Sequence, residues 1–346
     1  MQDIGEGTIR RIDWTELTPI VLLLRVFNIA LGIRILLIAL VGLQVTIGLN
    51  FLTDVSFLNR ELAEQIRQGK PQYYFNLPVD VAYSGVLDTA FSIRDNPKLL
   101  LWLPGVVLIW TICGGMICRI AAVRLTIDES ESLGTLLFFF RKRGLSFISA
   151  PVLMILGILC CFLPVKIAGW LLAVPFLNHA VAVLFPIPFF FACLTVFLAL
   201  VLTVGFMLLF AAVSADGSDG YDAISRMFSY VCQRPLHYLL YWFCCCVLGW
   251  PGFVLIQFPT YAAIQLCWKT VPVDFDFYVT FWARLFASLP LAYGFAWFWT
   301  SGTAIYLLLR RSVDATPFQE VYRVLPTKVR SLPVIKTDEH GAPEQV

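Results

Sequence analysis

Three histidines, ten cysteines and 23 carboxylate side chains are the residues of this chain with acid–base, metal or nucleophilic potential, and their spacing argues against each chemistry. His179, His237 and His340 lie far apart, and none sits in His-Glu-x-x-His, the helical pair of a zinc hydrolase. Cys113, Cys118, Cys160, Cys161, Cys193, Cys244, Cys245, Cys246 and Cys267 fall in apolar runs, and Cys232 in an amphipathic one. Adjacent cysteines point around a helix rather than at one centre, so they read as small polarizable packing residues. No metal, cofactor or structural disulfide is expected. No Gly-x-x-x-x-Gly-Lys or Gly-x-Gly-x-x-Gly loop is present to cradle a phosphate, and Gly217-Ser218-Asp219-Gly220 is not a nucleophile elbow. The acidic run Asp216 to Asp222 places carboxylates at i, i+3 and i+6, which does not match the calcium loop of an EF-hand. It reads as a turn with a helix N-cap. An enzyme is therefore not expected.

Two pairs of residues remain. Asn178 and His179 sit in a Pro-flanked apolar segment and are the expected intramembrane polar site, as a packing pair or as a ligand or proton relay. Arg143 and Arg234 each follow an amphipathic stretch and precede Gly144-Leu145 or Pro235-Leu236, where the chain turns into an apolar run. A guanidinium there can grip a phosphate with two parallel hydrogen bonds, so both are expected lipid-headgroup contacts. A positive-inside bias explains them equally well. Arg34 and Arg119, near the ends of apolar runs, are expected to snorkel.

The elements that carry these residues follow from composition. Of 346 residues, 59% are apolar and 14% charged, against about 25% charged in an ordinary soluble domain. Mean hydropathy is +0.79 and net charge +2. These values exclude a disordered chain, a nucleic-acid-binding module and a typical soluble enzyme. They describe an all-α, polytopic transmembrane helical bundle. Runs of about 20 apolar residues predict six spans: Ile35–Phe51, Leu99–Cys118, Leu145–Leu163, Pro186–Ala215, Leu236–Phe258 and Leu285–Leu309. The first is expected to reach back past Arg34, and Pro251 to kink or end the fifth. Ile167–Phe185 could make a seventh span or a re-entrant or interfacial segment. With six spans and both termini cytoplasmic, 17 of the 25 lysines and arginines fall inside; a seventh span would leave only 11 there. Six is the prediction. No cleavable signal peptide is read in the first residues.

The two inner loops resemble each other. Leu133, Leu137, Phe139, Arg143, Leu145 and Phe147 match Ile224, Phe228, Tyr230, Arg234, Leu236 and Tyr238 at an offset of 91 residues. Each loop reads as a helix exit, an acidic turn, an amphipathic surface helix and a new span, which implies a parallel internal repeat. In the second surface helix Tyr221, Ile224, Phe228 and Val231 form the apolar face. Leu24-Arg25-Val26-Phe27 echoes Ser225-Arg226-Met227-Phe228 more weakly and gives a third such unit. Asp13-x-x-Glu16, Thr126-x-x-Glu129, Asp219-x-x-Asp222 and Thr316-Pro317-Phe318-Gln319 read as helix starts, the last opening a fourth surface helix to about Val324. Residues 1–326 form a single membrane domain, with 54–98 a small extracytoplasmic segment holding short helices around Phe57–Gln68 and Val79–Ile93. Residues 327–346 are an expected disordered cytoplasmic tail.

The phrase from Asp216 to Tyr238, with Leu22-Leu-Leu-Arg-Val-Phe27 and Ile305 to Thr316, resembles segments of a family of uncharacterised bacterial multi-pass inner-membrane proteins. The acidic turn plus helix is more loosely similar to the membrane domain of glycerophosphodiester phosphodiesterases, whose hydrolase domain has no counterpart here. The resemblance implies a bacterial cytoplasmic membrane location and transfers no catalytic residue. The expected function is a non-enzymatic structural, assembly or lipid-associated membrane component. Its partners would be membrane lipids, anionic headgroups among them, and a membrane or cytoplasmic protein, but no nucleic acid. The alternative is a transporter or permease subunit whose surface helices couple to a cytoplasmic partner; Asp222-Ala223-Ile224 only brushes the coupling-helix pattern.

Overall fold

The computed structural model describes residues 21–53, 98–270 and 277–323. The Asp13 cap, the short helices expected within 54–97 and the tail 327–346 lie outside the described residues. Among the described residues helices are joined by turns and a C-terminal strap, with no strand. In order come α1 (Val21–Ala30), α2 (Ile33–Thr53), α3 (Leu99–Thr126), α4 (Leu133–Leu172) and α5 (Asn178–Val183). Then follow α6 (Pro186–Asp216), α7 (Gly220–Gln233), α8 (Pro235–Thr270), α9 (Phe277–Ala287) and α10 (Leu289–Asp314). Five of them, α2, α3, α4, α6 and α8, are long and apolar enough to cross a membrane, as a multi-pass membrane protein requires. The first begins at Ile33 and so includes Arg34. Pro186 opens α6, where its missing N–H costs nothing. Pro251 does not end α8, which continues to Thr270.

α10 is the axis of the bundle. It has 26 residues and is buried on most sides from Pro290 to Arg310, packed against α1, α2, α3, α6 and α8. Tyr293, Trp297, Trp299, Thr300, Thr303 and Tyr306 make it more polar than the five apolar helices, because it faces protein rather than lipid. Thr300 and Thr303 donate their hydroxyl protons to Ala296 O and Trp299 O, so their polarity is satisfied within the helix. α4 and α6 form the most extensive helix pair, and α2 packs along α3. α3, α6 and α10 all finish at one end of the bundle, called the base below. Each is followed by a left-handed residue: Asp128, Gly217 and Ala315 at φ of 62°, 63° and 53°.

Several expectations are corrected. The amphipathic stretch before Gly144 is not a separate surface helix; α4 runs unbroken for 40 residues, about 60 Å at helical rise. At Arg234 the chain does break (φ −131°, ψ 53°) between α7 and α8. The difference is Pro235, which disfavours helical backbone in the residue before it, whereas Gly144 keeps its N–H and can stay helical. The start of α4 is Ser132, whose hydroxyl accepts from Thr135 N at 3.2 Å; Thr126 instead ends α3 and donates to Ala122 O. In α7 the buried ridge is Gly220, Ala223, Met227 and Tyr230, with Tyr221 exposed, so the face is rotated from the one expected. The surface helix expected from Thr316 to about Val324 is not formed over its described residues, 316–323: a turn at Phe318–Gln319 leads into a strap, 315–323, lying across the base. Ile167–Leu172 completes α4, and six-residue α5 is too short to cross.

Candidate functional site

The base holds a buried network of charge that snorkelling does not describe. Arg119 is 1% exposed. Its fork grips Glu131 through Nε at 3.2 Å and Nη2 at 2.6 Å, and Nη1 donates to Ser214 O at 2.9 Å and Tyr322 O at 2.8 Å. The Phe139 ring lies 4.3 Å from the guanidinium. α3, the α3–α4 turn, α6 and the strap thus meet at one side chain. A lysine could not replace it, because the bond directions are those of a planar fork.

Asp216, the last residue of α6, forms the second centre. One oxygen accepts from Arg226 Nη1 and from Tyr306 OH, both at 2.5 Å, and the other accepts from Arg310. Arg310 is 3% exposed and also donates to Glu320 O at 2.7 Å and Pro317 O at 3.3 Å. Arg226 spends its Nε on Asp222, one turn earlier in α7. Tyr230 OH donates to Asp314 at the end of α10. The strap closes the centre from below, with Tyr322 N donating to Ala215 O at 2.7 Å. The Tyr322 ring lies against Gly217, where a β-carbon would stand 2.7 Å from it; that crowding and the positive φ both demand glycine. The strap's backbone groups go to Arg119, Arg310 and Ala215, which explains why it does not coil into the expected helix.

The rim adds exposed pairs. Arg25 donates to Asp128 at 2.8 Å, Arg34 to Glu131 O at 3.1 Å and Arg143 to Asp219 at 2.8 Å. Arg143 also lies 5.3 Å over the Tyr322 ring. Its contact with the Tyr322 hydroxyl holds that phenol below its ordinary pKa, and Lys142 adds to the effect. In this network Glu131, Asp216, Asp219 and Asp222 each face a guanidinium and Asp314 faces a phenol. Such pairing fixes the geometry of the base.

The residues singled out in sequence are scattered. Arg143 sits at the network's rim and shares its fork with Asp219. Arg234 is exposed at the C-terminus of α7. Asn178 and His179, 2.5 Å apart, lie at the tip between α4 and α6, with His179 exposed. That tip is the far end of α6 from the base, about 45 Å away at helical rise. Tyr306, Arg310 and Glu131 were missed. The signal available was an arginine near the end of an apolar run with a carboxylate in an inner turn, present at both Arg119 and Arg310. Among the described residues no cluster of histidine, cysteine and carboxylate could hold a metal. Compared with protein-family models, with curated proteins and with solved structures, the chain has no match.

Proposed function

We propose that this protein is a non-enzymatic component of the bacterial cytoplasmic membrane, structural or assembling in role and associated with lipid. Six crossings would put both termini and the base on the cytoplasmic side. α10 supplies the sixth, returning from the far end of α8 to meet α6 at Asp216. The surface character of α7 and the parallel repeat belong to this reading; three left-handed residues at three helix ends support the repeat.

One observation carries the proposal. The buried charges of the base are paired with one another, while two apolar helices are left largely uncovered: only 17% of the apolar stretch of α4 and 28% of that of α8 are buried within the chain. What the molecule offers to others is helix surface at membrane depth, which lipid or other membrane helices cover. Arg234, exposed beside Pro235, remains free to meet a headgroup phosphate.

The test is photo-cross-linking in the native membrane from Leu159 on α4, Val247 on α8 and Tyr221 on α7. The expected adducts are lipid or membrane-protein species at Leu159 and Val247. Capture of a soluble ATPase at Tyr221, with ATP-driven solute flux in proteoliposomes, would overturn the reading in favour of a permease subunit.

A further inference from the structure

Where α4 passes the start of α7, the two helices enclose an open groove of about 380 Å³. Its wall is apolar, formed by Leu145, Ile148, Val152 and Leu153 of α4, and Gly220 and Tyr221 of α7 close its other side. Leu145 is 83% exposed and Val152 47%, so the groove is continuous with the uncovered apolar face of α4. One helical turn before Leu145 and Ser146, on the same stripe, stand Arg141 and Lys142, both exposed. Arg143 stands beside them and reaches the lip through Asp219, which lines the groove. Three cations face one carboxylate here, and Tyr322 adds a hydroxyl against Lys142 and Arg143. An apolar slot beside a basic lip has the polarity of a phospholipid: chain in the slot, phosphate at the cations.

We propose that this groove is a binding site for an anionic phospholipid, with one acyl chain along Leu145, Ile148 and Val152 and the phosphate held by Arg141, Lys142 and Arg143. This rests on the lipid-associated reading above and names the site and the lipid class. Asp219 occupies one arm of Arg143 and selects against dianionic density at that point, so the main charge on the phosphate comes from Arg141 and Lys142. Gly220 lets α7 approach closely enough to form the second wall.

The experiment uses the full chain, purified in mild detergent, with native mass spectrometry and thermal unfolding as readouts. Its probes are phosphatidylglycerol, phosphatidylcholine of the same chains, and soluble glycerol phosphate. The wild-type protein is expected to retain phosphatidylglycerol about tenfold more tightly than phosphatidylcholine and to ignore glycerol phosphate. Arg141→Gln with Lys142→Gln should erase the preference between headgroups. Val152→Trp, which fills the slot from an exposed position, should abolish the tight adduct, while Val247→Trp on α8 should leave it unchanged. Equal retention of both lipids by the wild type, or a folded Val152→Trp variant that binds normally, would overturn the proposal. So would equal stabilisation by glycerol phosphate, which would make the lip a site for free phosphate. A negative result with the Leu159 and Val247 adducts intact removes the groove alone; capture of a soluble ATPase removes the wider reading.

Discussion

A charged guanidinium in an apolar bundle survives only where its partners replace the water it has lost, and Arg119 has a full set: two carboxylate oxygens and two carbonyls. Removing one member of such a pair strands the other. Arg119→Met should therefore destabilise the protein by about 3–5 kcal/mol, because Glu131 stays nearly buried without its cation. Adding Glu131→Leu should recover much of that loss, since an apolar pair needs no compensation. Thermal unfolding of the single and double variants in detergent reads this directly. Additive losses in the double variant would show that Arg119 acts mainly through Ser214 O and Tyr322 O. At residue level the sequence carried only a hint of this, an arginine at the end of an apolar run with a carboxylate in an inner turn. An arginine near the end of an apolar run looks the same in sequence whether it snorkels or is buried. What decides is that Tyr322, 203 positions away, folds back onto it. By contrast, the turn and helix start in Asp216 to Asp222 were legible from Gly217 and the position of Asp219, although Asp219 makes no capping hydrogen bond and its carboxylate accepts from Arg143 instead.

At the scale of elements, sequence reading succeeded where apolarity alone decides and failed where a break had to be placed. The five apolar helices and their rough bounds follow from runs of about 20 apolar residues. Their ends do not, because α4 and α8 extend well beyond the hydrocarbon requirement and run on through Pro151 and Pro164, or Pro251 and Pro259, where a proline would be read as a stop. The parallel drawn between Arg143-Gly144 and Arg234-Pro235 treated two residues of opposite backbone effect as equivalent. Interhelical approach was equally hidden. A β-carbon on Gly220 would stand 2.3 Å from Ser149 Oγ and 3.1 Å from Ala150 N, so α7 sits on α4 only because that carbon is absent. Gly220→Ala should push the helices apart and cost about 1–3 kcal/mol. Ser149→Ala, which removes the nearest atom, should restore part of it. A Gly220→Ala protein as stable as the wild type would mean that α7 is not held against α4 in the membrane.

For the whole molecule, the number of crossings turns on α10. By composition α10 is more polar than the five apolar helices, because α1, α2, α3, α6 and α8 surround it; hydropathy measures exposure to lipid, and an axial helix has little. Its connectivity argues for a crossing. α6 ends at Asp216 and α10 carries Arg310 near its own end, and the two side chains are bonded. α8 leaves the base immediately after α7 and runs 36 residues away, so α10 can reach Asp216 only by returning the full depth of the bundle. Tyr230 of α7 bonded to Asp314 makes the same point from a second pair. The expected outcome is that α7 and the end of the chain report the same, cytoplasmic, face. Ser218 is a poor probe, since it is buried and its hydroxyl donates to Ala212 O. Tyr221 is 74% exposed and suits a cysteine. Labelling of Tyr221→Cys by an impermeant thiol reagent, in a background with Cys160, Cys193, Cys232 and Cys267 replaced by serine, should require opening the cells. A reporter fused at the C-terminus should be active only in its cytoplasmic form. Opposite faces for the two probes would mean that α8 or α10 does not cross, and the base would then not lie at one membrane surface. Labelling of Tyr221→Cys in intact cells, with the reporter also outside, would keep the six crossings but invert them, and the positive-inside argument would fall.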